Sequence, residues 1–465
     1  VQHASGAGFS VSEILEATQG ELLIAGSPHA RFSGVSIDSR TLKGRGDIFV
    51  CIKGSRFDGH NFIPEAIGKG VRCVIVSRRN NVVSASKSPA AIICVRDTLC
   101  ALSALAHYHR RRFSLPVVAV TGSNGKTTTK EMLGALLSAK YRVLKNEGTQ
   151  NNLIGLSLSL LRLHPDHDIA VLELGSNHFG EIKELTEIAS PNVGIITNIG
   201  PAHLEFFGDE SGVFKEKWSL IEGLAHPYIA VLNADDNFLK AKLPNGMDGV
   251  FFSFGIRHKC DFMAKKIVCA AGKTSFYINK YPVKLNTLCR VNVYNALAAY
   301  VAARIFGVDA YDIIKKFREF HFPDSRFQLK KINGIFLIDD AYNANPASFL
   351  SAIQALSGLS VGGRKIVVMA DMLELGNEGE RLHREIGRHL SKADIDVLIG
   401  VGKLSRIACD AAERAGGLSL KTILRYSSAQ DARNNILGLL KKGDTVLLKG
   451  SRAMHLEEIF NNSHG

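Results

Sequence analysis

Short apolar runs, separated by glycine-bearing turns and by segments of helical spacing, dominate the chain. A strand that is apolar at every position is buried on both faces, which is the condition of a parallel sheet. Up to about residue 113 the elements are short. The pattern predicts a helix at Ser12–Thr18 and strands near Val35–Ile37, Ile48–Val50, Val71–Val76 and Ala91–Val95, then a helix at Thr98–Arg111. Gly44, Gly46, Gly54 and Gly59 mark the turns. From Leu115 strands and helices alternate. Strands are expected at Pro116–Thr121, Ile169–Leu174, Val193–Thr197 and Tyr228–Asn233, with helices such as Lys126–Ala139 and Gly180–Ala189 between them. A strand-rich insert at Val250–Leu285 and a helix at Asn295–Phe306 close this part. After Pro323 the alternation restarts, with strands at Ile335–Asp339, Lys365–Met369, Val397–Gly400 and Thr445–Lys449. The expectation is an α/β protein of three domains. These are a small α/β N-terminal domain over 1–113, a central P-loop parallel-sheet ATPase domain over 114–324 and a Rossmann-like C-terminal domain over 325–465. His321–Gln328 carries the Pro and polar residues of a hinge.

The segment Leu115–Glu131 holds the strongest chemical signal. A β-branched strand runs into Thr121-Gly122-Ser123-Asn124-Gly125-Lys126-Thr127-Thr128 and then a helix. Gly122 and Gly125 let the backbone turn its N–H groups towards one anion, and the helix adds its positive dipole end. Lys126 can reach the β- and γ-phosphates of a nucleotide, and the Thr127 hydroxyl can sit on Mg²⁺. The usual P-loop spacing wants a glycine where Val120 stands, so this is a shorter form of that loop. The competing reading is a plain Gly-rich turn.

Glu173 ends an apolar strand at the sheet edge where ligands bind, so it can hold the nucleotide's Mg²⁺ or pair with a lysine. His203 follows another strand at the same edge and is either structural or a second metal ligand. Lys215-Glu216-Lys217 reads as a solvated helix face, and His107–Arg112, the densest basic cluster, as the solvated end of a helix. Asn292 and Asn295 open a helix, where their amides can meet a base edge or cap it. Asp339 and Asp340 directly follow an apolar strand, and Asp340 could take ribose hydroxyls. Asn345 precedes Pro346 as an N-cap would.

The chain's 465 residues and 46% hydrophobic content fit a globular protein without a membrane span. A net charge of +13 suits anionic substrates such as nucleotides and equally suits nucleic acid, although no basic run is interleaved with aromatics. The eight cysteines form no C-x-x-C and read as reduced, buried thiols of an intracellular compartment. The chain opens on Val1, which suggests a trimmed or processed precursor.

These pieces, in this order, resemble the Mur ligases of peptidoglycan synthesis. In the first domain Ser36–Arg40 and Phe57–His60 look like the uridine-nucleotide segments, which implies substrate contacts at Ser39, Arg40, Asp58 and His60. In the central domain the likeness rests on Thr121–Thr128, Asn146–Asn152, Glu173–Gly175 and Pro201–Glu205. In the third it rests on Asp340–Pro346, Asp371–Gly376 and Lys449–Arg452. Tyr342–Pro346 and Asp371–Gly376 resemble the branch that adds D-Ala-D-Ala to UDP-MurNAc-tripeptide.

The resemblance implies ATP and two Mg²⁺, one held by Thr127 and Glu173 and the second by His203. It implies a carbamylated Lys217 that binds metal, and catalytic roles for Lys126, Lys217, His203 and Arg326. Asn295 would meet the adenine, Asp340 the ribose and Arg326 the γ-phosphate. Thr149, Asn151, Asn152, Tyr342 and Asn345 would touch substrate, with Lys449 and Arg452 as candidates for the dipeptide carboxylate. Where the family shows Gly-Arg, this chain has Ser325-Arg326, a costly choice if φ there is positive. A cytoplasmic monomer binding neither nucleic acid nor membrane is implied. Basicity and the absent initiator keep a plastid stroma as the alternative location. A folylpolyglutamate synthetase-like ligase, or a P-loop ATPase acting on nucleic acid, remain the other readings.

Overall fold

The computed structural model describes residues 8–460 apart from 28, 80–89, 244–248 and 271. Three large sheets carry it, beside a two-stranded pair, Phe9–Ser10 with Arg31–Phe32. The first runs in the order Glu21–Ile24, Ala91–Cys94, Cys73–Val76, Asp47–Val50, Gly34–Ser36, parallel except for its first strand. The second has nine strands. Five parallel ones (Val143–Lys145, Ile169–Glu173, Val117–Thr121, Val193–Ile196, Ile229–Asn233) continue through Val250–Gly255 and Phe262–Ala270 into an antiparallel pair, Lys273–Ile278 and Tyr281–Leu285. The expected strand-rich insert is therefore an extension of the same sheet. The third has the order Gln328–Ile332, Ile335–Asp340, Thr445–Lys449, Lys365–Ala370, Val397–Val401, Thr422–Tyr426. Only its first pairing is antiparallel.

Val117–Val120 shows why these runs become inner strands. All four side chains are fully buried, with Val118 and Val120 in one apolar cluster and Val117 and Ala119 in another on the opposite face. Each such valine removed from water contributes about 1.5–3 kcal/mol. A run of them has no stable place at an edge.

Several expectations need correction. The helix expected at Asn295–Phe306 begins at Asn292, and the strand expected to stop at Asp339 includes Asp340. The third sheet starts one strand earlier than expected, at Gln328–Ile332, whose largely exposed polar positions hide an edge strand. The basic cluster is not solvated: His109 and Arg110 are buried. Arg110 donates to the carbonyls of Ala189 (3.0 Å), Phe113 (2.7 Å) and Leu115 (3.2 Å), and His109 Nε2 meets the Leu163 carbonyl at 3.0 Å. Arg112 lies over the rings of Phe9 and Tyr108. The last helix of the first domain, Thr98–Arg110, is thus bolted to the central one by its cations. All eight cysteines are free, but Cys100 and Cys269 are exposed rather than buried. No helix among the described residues is long and apolar enough to cross a membrane.

Candidate active site

The carboxyl edge of the central sheet faces that of the third across a cavity of about 600 Å³. Its floor is the turn after Val117–Thr121. Gly122 has φ 138° and Gly125 φ 80°. A Cβ would stand 2.1 Å from Thr197 Oγ1 at the first and 2.2 Å from Asn295 Oδ1 at the second. Conformation and space both demand glycine there. The turn is laced to the next strand's loop. Ser123 N–H donates to the Asn198 carbonyl at 2.9 Å, Ser123 Oγ to the Gly200 carbonyl at 2.9 Å, and Asn124 N–H to Asn198 Oδ1 at 3.0 Å. Helix Lys126–Leu137 springs from Gly125 without a side-chain cap, so its first N–H groups face the cavity as an anion site. Lys126 folds back on the carbonyls of Gly122 (2.8 Å) and Ser123 (3.3 Å). Burial holds its ammonium below the usual lysine range; Arg326 adds to this and Glu173 opposes it.

Glu173 is 1% exposed. Its Oε1 accepts from Asn151 Nδ2 at 2.6 Å, while Oε2 is buried with no hydrogen-bond partner and lies 4.0 Å from Lys130 Nζ. An orphaned carboxylate oxygen in a cavity wall that also carries Thr127 fits a hard divalent cation. Among the described residues no three His, Cys, Asp or Glu gather into a metal cluster. A cation here would complete its shell with phosphate oxygens and water, as Mg²⁺ commonly does.

Lys217 does not line the cavity but sits behind it, 1% exposed, on helix Glu210–Glu222. Its Nζ donates to Ser176 Oγ at 2.6 Å, and Ser176 does line the cavity. Burial, reinforced by the charge of Lys126, lowers the Lys217 pKa to about 7. Glu216 is buried as well and accepts the N–H groups of Gly180 and Ile182, both at 2.8 Å, capping helix Glu181–Ala189. Lys215–Lys217 is therefore not a solvated face. The helix packs against Glu181–Ala189 and the sheet, and two of the three side chains point inward.

The third domain reaches the same cavity. Arg326 Nη2 donates to Thr127 Oγ1 at 2.9 Å, with its guanidinium 4.0 Å over the Tyr342 ring. Ser325, before it, has φ 54°, so the position does need the left-handed conformation; its Oγ donates to Asp339 Oδ2 at 3.0 Å. Asn345 caps helix Pro346–Ser357 through Ser348 N–H and also donates to Asn124 Oδ1 at 2.7 Å. Asp340 and Lys449 are register partners on adjacent strands and take each other at 2.6 Å. Burial raises the Asp340 pKa, with Lys449 opposing. They face the cavity as a neutral pair. Asn295 is held by Asn292 Oδ1 at 2.9 Å and backs onto Gly125.

Thr128, Thr149, Asn151 and Asn152 also line the cavity, and Asn152 caps helix Leu153–Leu160. His203 has φ 53°, and its Nδ1 lies 2.6 Å from Glu374 Oε2, off the hydrogen-bond direction. Five predicted residues are not gathered here. Ser39 is buried and Arg40 pairs with Asp38 at 2.7 Å, both in the first domain. Asp58 takes His60 Nδ1 at 2.6 Å, and His60 Nε2 accepts Ser77 N–H at 3.0 Å, so both ring nitrogens are committed. Arg452 is exposed on Glu457 at 2.9 Å.

Two functional-looking positions, Lys130 and Ser176, went unread in the sequence, while Glu216 was read only as part of a solvated helix face and Glu374 only within the Asp371–Gly376 segment. Lys130 is wholly buried and donates to the carbonyls of Asn146 and Gly148 at 2.8 Å, fixing the loop that carries Thr149–Asn152. Its place one turn after Lys126 on a buried helix face was the available signal.

Comparison with known proteins gives a consistent picture. Residues 31–110 match the Mur ligase family catalytic domain, 120–303 the Mur ligase middle domain and 325–452 the Mur ligase glutamate ligase domain. The chain is 34% identical to the UDP-N-acetylmuramoyl-tripeptide–D-alanyl-D-alanine ligases of Bacillus subtilis and Escherichia coli, over 97% of each chain. It superposes on a crystal structure of MurF from Acinetobacter baumannii with a TM-score of 0.87 at 31% identity, covering 97% of this chain and 98% of that one. For MurF ligase from Thermotoga maritima in complex with ADP the TM-score is 0.79 at 32% identity, with 92% and 96% covered.

Proposed function

The chain belongs to the Mur ligase family, and on that premise we infer that it is an ATP-dependent ligase adding D-alanyl-D-alanine to UDP-MurNAc-tripeptide. The product is UDP-MurNAc-pentapeptide, a precursor of peptidoglycan. The observation that carries the reading is one cavity lined by the phosphate-binding turn, the orphaned Glu173 oxygen and an arginine from another domain. We assign the three domains to 1–113, 114–324 and 325–465, with the UDP end of the substrate on the first.

ATP phosphates occupy the turn Gly122–Thr128, drawing Lys126 off its own carbonyls. The tripeptide's terminal carboxylate attacks the γ-phosphorus, giving an acyl phosphate and ADP. The dipeptide amine, its proton given up to solvent, then attacks that carbonyl; phosphate leaves from the tetrahedral intermediate and the nitrogen sheds a second proton to leave the amide. Negative charge gathers on the γ-phosphate throughout, and Lys126 and Arg326 are the cations placed to stabilise it. Arg326 comes from the third domain, so it acts only when that domain is closed, which also keeps water from the acyl phosphate. Thr127 and Glu173 would hold one Mg²⁺ and His203 a second; these ions would neutralise phosphate charge. Lys217, with a pKa of about 7, is neutral enough near physiological pH to add CO₂, its nitrogen bonding the carbon as a proton leaves to solvent. The resulting carbamate would be an anion behind Ser176. Asn295 and Asp340 serve the nucleoside end.

The test is ADP release. Turnover should need ATP, UDP-MurNAc-tripeptide and D-Ala-D-Ala together. Equal turnover with free amino acids, or stimulation by nucleic acid instead, would overturn the reading.

A further inference from the structure

The ligase reading leaves open which group meets the charged amine of the incoming dipeptide, and the structure offers one carboxylate for it. At neutral pH the dipeptide arrives as a zwitterion, so its ammonium needs an anionic partner beside the reacting carbonyl. Four carboxylates line the cavity: Glu173, Glu181, Asp340 and Glu374. Three are already committed. Glu173 is buried, bonded to Asn151 and suited to a metal. Glu181 accepts the N–H groups of Asn177 and His178. Asp340 is neutralised by Lys449. Glu374 and Glu181 are similarly exposed, at 45% and 43%, but among the described residues the Glu374 carboxylate accepts no backbone N–H and meets only the His203 imidazole, at 2.6 Å.

Glu374 is also placed with unusual care. It holds φ 62°, a left-handed conformation that is strained for a non-glycine residue and recurs at functional positions. The loop bearing it is fixed from three sides within its own domain. Asp371 accepts the N–H groups of Lys403 and Ser405, Met372 N–H donates to His383 Nε2, and Leu373 N–H donates to Ser451 Oγ. Across the domain boundary the Glu374 carbonyl accepts Glu205 N–H at 3.2 Å. Gly376 lies so close that a Cβ there would stand 3.0 Å from Glu205 Cα. His203 belongs to the loop whose Asn198 and Gly200 are bonded to the phosphate-binding turn. Glu374 is therefore held at the phosphate end of the cavity, where the acyl carbonyl forms.

We propose that Glu374 binds the ammonium group of the incoming dipeptide and orients it towards the acyl phosphate. This rests on the ligase reading above.

Initial rates of Glu374→Gln and Glu374→Asp, each substrate varied in turn, test it. Losing a charged hydrogen bond should raise KM for D-Ala-D-Ala roughly ten- to hundred-fold in E374Q. KM for ATP and for UDP-MurNAc-tripeptide should stay within about twofold, and E374D, which keeps the charge, should recover part of the loss. If Glu374 merely latches the domains through His203, all three KM values or kcat alone would shift, and the proposal fails. It fails equally if E374Q leaves KM for the dipeptide unchanged. A wild-type enzyme that ignores D-Ala-D-Ala would instead sink the ligase reading itself.

Discussion

Replacing Lys217 with methionine should make the protein more stable and abolish its turnover. The ammonium is fully desolvated, and its pKa falls from 10.5 to about 7. At about 1.4 kcal/mol per unit this is a penalty of about 5 kcal/mol for keeping the proton in the fold. The sign follows from proton counting. Between pH 7 and 10.5 the unfolded chain holds the proton and the folded chain does not, so folding stability rises with pH across that window. Below pH 7 the whole penalty stands. Lys217→Met keeps the length, discards the charge and gives up the Ser176 hydrogen bond, worth about 1 kcal/mol. The variant should therefore exceed wild type by up to about 4 kcal/mol at pH 6, and the gap should shrink to about 1 kcal/mol by pH 9. Urea unfolding at pH 6, 7.5 and 9, in bicarbonate-free buffer, reads this directly. A gap that stays constant with pH, or a variant less stable than wild type at pH 6, would refute the desolvation argument. The same shift sets the chemistry: at pH 7.5 about three-quarters of these amines are neutral, against about one in a thousand for an ordinary lysine.

Two further substitutions test the cavity walls. Ser325→Ala keeps the left-handed strain and loses the bond to Asp339, whereas Ser325→Gly loses the bond and relieves the strain. Thermal unfolding should place the glycine variant within about 0.5 kcal/mol of wild type and the alanine variant about 1–2 kcal/mol below it. Gly125→Ala drives a Cβ to 2.2 Å from Asn295 Oδ1 at φ 80°, so calorimetric ADP affinity should fall at least about tenfold. Unchanged affinity would mean that this turn does not hold the phosphates.

The inner strands were legible because double burial leaves no choice of residue: Val117–Val120 and Ile169–Leu172 are apolar at every position and could only be central. The phosphate turn was legible because its glycines, lysine and threonine are adjacent in sequence. What escaped was set by partners far along the chain. Lys130 looks like any helix-surface lysine until the loop carrying Asn146 and Gly148 folds over it. Glu216 caps a helix that begins 35 residues earlier, and nothing local marks it. Arg110 is buried because the neighbouring domain brings it the Ala189 carbonyl. Ser325 was the reverse case: it stands where the resembled family shows glycine, which raised the condition of a positive φ, and the position has φ 54°.

The segment after His203 shows how one contact between domains can set several groups at once. His203 and the short helix Leu204–Phe207 are consecutive but face different ways. Leu204 and Phe207 are buried in the apolar cluster that also holds Phe349, Met372 and Leu375 of the third domain. His203 turns into the cavity beside Glu374. Separating the domains would uncover those two side chains, and each covered again contributes about 1.5–3 kcal/mol. The polar contacts made at the same time, Arg326 with Thr127 and Asn345 with Asn124, contribute only about 0.5–1.5 kcal/mol each because water can replace them. The contact between the domains is thus held by the apolar patch and aimed by the polar groups. Substrate phosphates can then compete for Arg326 and Lys126 without having to hold the domains together.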